Sequence, residues 1–296
     1  MSATYSERII EQSYHTVWER HFSAIYGTTS FGTFVPGSEE VHTGFDLGFA
    51  SWRREYKFTA DKFFAWMKKR ILNTAQADNA FLCAYFFQYK LLNKVSSLSR
   101  IQDTATKEGL VNLGYNRKGP AFRAKLDTIR NTYANGTKRR PFSQHDALCR
   151  TAKIKGTQVY YCTPTFDETM GIPMVDVRAI SDLNTTLVTE TTPTFRDQKT
   201  HYLYMKDRHG TDTAWCSEPI PTESNQDLDP PPLLSPRQLL QLMKAIYISM
   251  NDEGGIGQLD FRDLALVPSD LEPESFRRYY NALPRATKII GMNKPD

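Results

Sequence analysis

Cysteine is scarce in this chain of 296 residues, and its four cysteines are widely separated. Cys83, Cys149, Cys162 and Cys216 form no C-x-x-C pair. Zinc sites and disulfide frameworks need cysteines at short, regular spacings, so the sequence indicates neither. Most of the four lie among apolar residues, and we expect reduced thiols in a cytoplasmic protein.

Long apolar runs are absent as well, since no stretch approaches the ~18 uncharged apolar residues of a membrane-spanning helix. The amino-terminal stretch MSATYSERIIEQSY lacks the basic segment followed by an apolar one that marks a secretory signal. A strong excess of charge is also missing, because the formal net charge is +4 at pH 7. That mild basicity is compatible with a polyanionic partner without requiring one.

What the sequence does contain is an alternation of helix and strand patterns. Ile10, Tyr14, Trp18 and Phe22 form the apolar stripe of a first helix. Strand patterns follow in TGFDLGFASW, AFLCAYFFQYKLLNK, PAFRAKL, GTQVYYCTPTF and, near a sheet edge, HYLYMKD. Helices are predicted in TADKFFAWMKKRIL, in SQHDALCRTAK with Ser143 as its N-cap, and in SPRQLLQLMKAIYISM. This alternation predicts an α/β or α+β sheet rather than a helical bundle.

A domain boundary is predicted where acidic and amide residues run into three consecutive prolines, in IPTESNQDLDPPPLLSP. Such a composition gives an extended connector with little capacity to bury surface. We therefore predict a main domain over residues 1–218, a proline-rich linker over residues 219–236 and a small helical appendage over residues 237–296.

Two polar residues interrupt the most apolar strand pattern. In AFLCAYFFQYKLLNK, Gln88 and Lys90 follow eight apolar or aromatic residues, and positions i and i+2 of a strand face the same side. Glu11 on the first helix and Asp46 on the first strand are carboxylates in the order helix, strand, strand that one site requires. Such oxygen ligands can hold Mg²⁺, and a neighbouring lysine can stabilise negative charge on a phosphate.

These motifs resemble the PD-(D/E)XK, or restriction endonuclease-like, nucleases, in the variant where glutamine replaces the second acidic residue. The resemblance rests on GFD followed at a distance by an apolar strand ending in QYK. IIEQSYH resembles the glutamate-bearing first helix of these folds, and SEEVHTGFD has an acidic pair just before the aspartate that would bind metal. FRAKL, SQHDAL and VYYCTPTF are similar to segments of an uncharacterised bacterial group of that superfamily. Together they cover roughly residues 6–218.

The resemblance implies a restriction endonuclease-like mixed sheet flanked by helices, and a nuclease that depends on Mg²⁺ or Mn²⁺. Carried over residue by residue, it makes Asp46 and Gln88 the metal ligands, Lys90 the catalytic lysine and Glu11 a helix-borne catalytic carboxylate. Glu40 is an accessory candidate. The implied substrate is nucleic acid, DNA more than RNA, in bacterial defence against phage or mobile elements. A protein partner that licenses activity is left open, as is the oligomeric state.

Two alternatives stand beside this interpretation. EYK, Glu55 to Lys57, is a second E-x-K only nine residues after Asp46. It has charged neighbours and lacks an apolar strand, which favours a solvated hairpin or a helix start. The rival function is a catalytically inactive module of the same fold that binds nucleic acid or a protein partner.

Five further residues are candidates for binding a nucleic-acid backbone: Arg123, Lys138, Arg139, Arg140 and His145. Arg123 lies in FRAKL, and His145 lies at a predicted helix start, where free amides can bind phosphate. The other three form the basic run of NGTKRRPF. The alternatives are a surface residue, a helix cap and a solvated loop.

Overall fold

The fold is seen in a computed structural model of the chain. It describes residues 17, 30–32, 51–52, 56–57, 60–73, 80–128, 143–165, 183–195, 197, 199–207, 213–215, 221–222, 224–225, 232–252, 257–283 and 287–293. Within those residues, no helix has the length and apolarity needed to cross a membrane.

Five α-helices lie in the described part of the chain: α1 (Ala60–Leu72), α2 (Thr104–Asn112), α3 (Gln144–Ala152), α4 (Pro236–Asn251) and α5 (Pro273–Asn281). Side-chain caps set three of their starts, and at α2 the Asp103 side chain accepts from the Thr106 amide. The amides of Asp146 and Ser143 each donate to the other residue's side chain at 3.1 Å, which confirms Ser143 as the N-cap of α3. Ser235 and Gln238 form the same reciprocal box at the start of α4.

Thirteen strands lie in the described part of the chain. They are β1 (Ser30–Gly32), β2 (Ser51–Trp52), β3 (Tyr56–Lys57), β4 (Ala80–Tyr89), β5 (Leu92–Val95), β6 (Ala121–Leu126), β7 (Gln158–Pro164), β8 (Leu183–Leu187), β9 (His201–Met205), β10 (Thr213–Trp215), β11 (Pro221–Thr222), β12 (Ser224–Asn225) and β13 (Thr287–Asn293). Short 3-10 helices lie at Leu98–Arg100, Phe261–Asp263 and Pro268–Leu271. The fold is therefore mixed α/β, as the sequence predicts.

The stretch AFLCAYFFQYKLLNK contains two strands rather than one. β4 ends at Tyr89, and β5 begins at Leu92. Lys90 and Leu91 lie in the break between them. The polar pair therefore stands at the end of a strand, Gln88 within β4 and Lys90 just after it.

The chain forms two compact units, each assembled from three segments. The first unit comprises Met1–Trp18, Gln88–Asp146 and Tyr160–Leu228, and the second comprises Glu19–Phe87, Ala147–Val159 and Asp229–Asp296. This division differs from the predicted succession of domain, linker and appendage, because residues 237–296 belong to the same unit as α1. Helix α4 packs on α1 and α5, so the C-terminal helices build a shared core with earlier residues.

In the second unit, aromatic side chains join α1 to α5. The apolar face of α1 buries Phe63, Phe64 and Met67, spaced as one side of a helix. The ring of Phe276 on α5 packs against Phe63 and Phe64 at centroid distances of 5.9 and 5.0 Å. In the same unit β13 pairs antiparallel with both β1 and β4.

In the first unit, five strands form a sheet in the order β11-β10-β9-β6-β5. β9 lies inside this sheet, between β10 and β6, so the expectation that HYLYMKD runs near an edge is wrong. Helix α2 and the 3-10 helix before it contribute to a cluster that includes Leu98, Leu110, Tyr115 and Tyr204. The Tyr115 hydroxyl donates to the Tyr204 carbonyl at 3.0 Å. In the same unit β8 pairs antiparallel with β7 and β12.

The two cysteines whose side chains are described, Cys149 and Cys162, are buried and form no disulfide. Burial raises the pKa of the Cys162 thiol well above its usual value, because the thiolate would lose its hydration. Both therefore behave as packed apolar residues, in agreement with the predicted reduced thiols.

The buried carboxylate of Asp270 links α4 to α5 in the second unit through hydrogen bonds. Asp270 is 3% exposed. It accepts from the Lys244 ammonium at 2.8 Å, from the Tyr279 hydroxyl at 2.5 Å and from the Val267 amide at 2.8 Å. Burial by itself would raise the pKa of Asp270, but these donors outweigh burial and lower it. The carboxylate is thus ionised and fully engaged.

Asp270→Asn should lower the free energy of unfolding by about 3 kcal/mol, because it removes the charge that three donors surround. Urea unfolding monitored by circular dichroism would measure the loss. Asp263→Asn is the matched control, since Asp263 is an exposed carboxylate of the same unit, and its effect should stay within about 0.5 kcal/mol. Equal stability of the two variants would contradict the role given to Asp270.

Candidate active site

The predicted polar pair lies in the interior of the first unit. Gln88 is 1% exposed and Lys90 is 2% exposed. The backbone amide of Lys90 donates to the carbonyl of Cys162 at 2.9 Å, which fixes the chain where it leaves β4. Gln88 lies within β4 and Lys90 just beyond its end. Both the amide and the ammonium side chain are therefore buried where the chain leaves this strand.

The Gln88 amide is only half satisfied. Its Nε2 donates to the carbonyl of Tyr89 at 3.2 Å. Since a carbonyl can only accept, the nitrogen must face Tyr89, and this fixes which way the amide points. Oε1 is buried and has no hydrogen-bond partner among the described residues. A buried acceptor left in this state costs about 1–3 kcal/mol, so this oxygen is a candidate for binding a ligand.

The Lys90 ammonium is paired with a carboxylate that sequence reasoning missed. Lys90 Nζ donates to Asp127 Oδ2 at 2.7 Å. The Asp127 side chain is 48% exposed, whereas that of Lys90 is 2% exposed. A buried ammonium requires such a partner, because an isolated charge in the interior is very costly.

The signal that could have revealed Asp127 is its place directly after strand β6. β5 and β6 pair antiparallel, with Leu92 opposite Ala124. Residues just before β5 therefore meet residues just after β6 at one end of the pair. The sequence alone predicts β6 but not its pairing with β5, so the proximity of Lys90 and Asp127 could not be read from it.

His145 lies next to Asp127 in the first unit. Its backbone amide donates to the Asp127 carbonyl at 3.0 Å. Its ring lies 2.7 Å from two oxygens, Nε2 from the Pro193 carbonyl and Nδ1 from the Tyr161 hydroxyl. The carbonyl can only accept, so Nε2 carries the proton and Nδ1 accepts from Tyr161. Both ring nitrogens are thus used within the protein.

The surroundings of His145 favour its neutral form. The ring is 1% exposed and packs against Phe195 and Trp215 at centroid distances of 5.2 and 5.8 Å. Burial lowers the pKa of His145, because the imidazolium would lose its hydration. The structure thus gives this ring a packing role, and its predicted contact with a phosphate stays a prediction.

Arg123 is the other nucleic-acid candidate that the structure describes. It lies on β6, half-buried, with its guanidinium 4.1 Å from the centroid of the Tyr202 ring. Its Nε is buried and lacks a hydrogen-bond partner among the described residues. Lys138, Arg139 and Arg140 lie outside the described residues.

The remaining predicted site residues, Glu11, Glu40 and Asp46, also lie outside the described residues. Of the predicted quartet of Glu11, Asp46, Gln88 and Lys90, the structure therefore places the last two. In the part of the chain that is described, no cluster of three or more His, Cys, Asp and Glu side chains could hold a metal ion.

Two residues of the competing motif EYK, for which a solvated hairpin or a helix start is predicted, lie in a strand. Tyr56 and Lys57 form β3, which pairs antiparallel with β2. Trp52 lies opposite Tyr56 in this two-stranded ribbon. Glu55 lies outside the described residues. The backbone thus agrees with the hairpin interpretation of EYK.

Comparison with known proteins gives no relative. No family model, no curated protein and no solved structure matches the chain.

His145 should make stability depend on pH in a defined direction. Its usual pKa of 6.5 applies to the unfolded chain, and the folded value is lower. The stabilisation is present above pH 6.5 and is lost as the pH falls from 6.5 through the folded value, because the unfolded state takes up the proton first. Thermal unfolding of the wild type should show this fall in melting temperature.

His145→Asn removes the titrating group and should remove this part of the pH dependence. The variant will be less stable at every pH, so the comparison is between slopes rather than absolute melting temperatures. Identical slopes between pH 6.5 and 5 in the two proteins would show that His145 titrates normally.

Proposed function

We propose that the protein is a divalent-metal-dependent nuclease whose active site lies at the end of strand β4. The observation that carries the proposal is the buried Oε1 of Gln88, which has no partner among the described residues and lies two positions before the buried Lys90. An oxygen that can bind a metal and a positive charge that can stabilise a phosphate are two groups that phosphodiester hydrolysis at a metal centre uses. The motif resemblance to the PD-(D/E)XK nucleases supports the same chemistry.

The donor set fits a hard cation such as Mg²⁺ or Mn²⁺. Gln88 would contribute its amide oxygen, and Asp46 would contribute the carboxylate that the motif assigns to it. Asp127 adds a half-exposed carboxylate that contacts Lys90. When bound, the metal would polarise the phosphate and lower the pKa of a bound water. Gln88 and Asp46, with waters at the other positions, would suit Mg²⁺, which keeps several waters in most protein sites.

Lys90 would stabilise the negative charge that develops on the phosphate. Its burial at 2% exposure keeps bulk water away from the ammonium, and Asp127 holds Nζ in one place at 2.7 Å. Electrostatic groups that are already oriented and dehydrated contribute most, because no solvent has to reorganise during the reaction. Asp127 is therefore proposed as a positioning residue for Lys90.

The substrate is proposed from the resemblance to be nucleic acid, DNA more than RNA, with a role in bacterial defence against phage or mobile elements. The alternative is an inactive module of the same fold. It is favoured by the same ion pair, since a lysine that is fully paired with a carboxylate also serves as a structural element. Variants that separate charge from packing distinguish the two.

Lys90→Met removes the ammonium and keeps the apolar stem, so the fold should survive while Mg²⁺-dependent cleavage of DNA falls about 10²-fold to 10³-fold. Lys94→Met is the matched control, because Lys94 is an exposed lysine on β5, and it should cleave like the wild type. Rates would be measured on single-stranded and double-stranded DNA and on RNA, over a Mg²⁺ titration. Wild-type cleavage by Lys90→Met would leave only the structural role.

Gln88→Glu tests the metal ligand separately. The new carboxylate faces the cation and should lower the Mg²⁺ concentration needed for half-maximal cleavage. Without a metal nearby, it would be a second buried charge, and melting temperature would fall regardless of Mg²⁺. Loss of stability that no metal restores would sink the assignment of Oε1 as a ligand.

The carboxylates should separate by their effects. Asp46→Ala should abolish cleavage, because it removes a metal ligand. Asp127→Asn should reduce both cleavage and melting temperature, because it leaves the buried ammonium of Lys90 without its charged partner.

The double variant Glu55→Gln, Lys57→Ala should keep wild-type activity, and loss of cleavage in that folded variant would move the site to EYK.

A further inference from the structure

A concave site in the first unit is lined by residues other than Gln88, Lys90 and Asp127. It is a cavity of about 710 Å³ beside the start of α2 and the adjoining strands β6 and β9. Its lining includes five charged side chains and one histidine: Arg100, Asp103, Arg123, Asp197, Lys199 and His201. Neither the Lys90–Asp127 pair nor Gln88 is among its lining residues.

Both carboxylates of the cavity are already engaged. Asp103 is the N-cap of α2 and accepts from the amide of Thr106 at 3.3 Å and from its hydroxyl. Asp197 Oδ1 lies 2.5 Å from Nε2 of His201. The hydrogen bond from Thr106 is the main cause that lowers the pKa of Asp103, and the one from His201 does so for Asp197. The two acids are therefore committed to structural hydrogen bonds.

The three strong cations of the cavity lack such partners. Among the described residues, Arg100, Arg123 and Lys199 form no ion pair. The charge of Lys199 lowers the pKa values of Asp103 and Asp197 through its field, and the backbone amide of Lys199 also donates to Asp197. The permanent cations therefore outnumber the acids, and their donors are available to an anion.

Arg123 is the most constrained of the three. It stands on β6 opposite Tyr204 of β9, and its guanidinium lies over the ring of Tyr202, two residues earlier on the same side of that strand. The stack holds the guanidinium plane in one orientation, and its buried Nε has no partner among the described residues. A planar, oriented guanidinium recognises phosphate through two parallel hydrogen bonds.

We propose that this cavity binds the phosphate of a nucleotide, with Arg123 as the oriented contact and with Arg100 and Lys199 as supporting charges. The volume is in the range of small-ligand sites, about 300–1,000 Å³, and exceeds what one inorganic phosphate fills. Ile101, Ala105 and Tyr202 supply apolar lining for the rest of such a ligand. The proposal does not depend on the nuclease activity, because it concerns binding at other residues.

The phosphate can belong to a free nucleotide or to the end of a nucleic-acid strand, and the probes distinguish these sources. The intact protein would be titrated in EDTA with four nucleoside monophosphates, with a 5′-phosphorylated tetradeoxynucleotide, and with the same compounds lacking phosphate. Isothermal titration calorimetry reports the affinity. Binding of either phosphorylated class supports the site and names its source, and equal binding of the unphosphorylated compounds overturns it.

Arg123→Met should weaken binding of the phosphorylated probe about 10-fold or more, because it removes a charge-assisted contact. Arg123→Lys keeps the charge but not the planar guanidinium. Its affinity for the phosphorylated probe should lie between that of Arg123→Met and that of the wild type. The double variant Arg100→Ala, Lys199→Ala avoids the half-buried position, since both of its residues are exposed, and should also weaken binding.

Lys94→Ala is the matched control. It removes one exposed positive charge from β5, at a position that faces the side of the sheet opposite to Arg123 and does not line the cavity. Its affinity should stay within about twofold of the wild type, since exposed charges away from the site are screened by salt. No measurable binding by the wild type, or equal loss in the control and the cavity variants, would overturn the proposal.

Discussion

The ion pair between Lys90 and Asp127 is the constraint on which the first unit depends most. Lys90 leaves β4 and leads into β5, while Asp127 leaves β6, so the pair fixes one end of those strands. The backbone groups of the same residues bind further elements: the Lys90 amide binds the Cys162 carbonyl of β7, and the Asp127 carbonyl binds the His145 amide at the start of α3. The side-chain ion pair and these two backbone hydrogen bonds together connect four segments of the chain.

Two buried polar groups differ in how completely they are hydrogen-bonded. Asp270 accepts from three donors, so its network is complete and its purpose is to hold α4, α5 and the segment between them. Gln88 uses its amide nitrogen but leaves its oxygen without a described partner. Partly satisfied buried groups are costly and are kept where a site needs them. This contrast is why the proposed active site includes Gln88 and not Asp270.

Local features of this fold could be predicted from the sequence, and long-range ones could not. The helices α1, α3 and α4 and the strands β6, β7 and β9 follow from apolar spacing and caps such as Ser143, which involve residues a few positions apart. The interior place of β9 depends on pairing with β6 and β10. The partner of Lys90 likewise depends on strand pairing. Burial of Gln88 and Lys90 was predictable because the apolar run around them is continuous in sequence.

The segmented construction of the two units has a consequence for how the chain reaches its fold. β13 pairs with β4 although Thr287 and Phe86 are about two hundred residues apart in sequence. Contacts of this kind close large loops before they gain any stabilisation, which slows folding and disfavours folding from the amino terminus as the chain emerges from the ribosome. Neither unit is a continuous stretch, so no single cut releases one intact, and deletion of the last helix and strand removes a neighbour of the strand that leads to Gln88. β13 therefore has to be synthesised before the second unit, and strand β4 with it, can become stable.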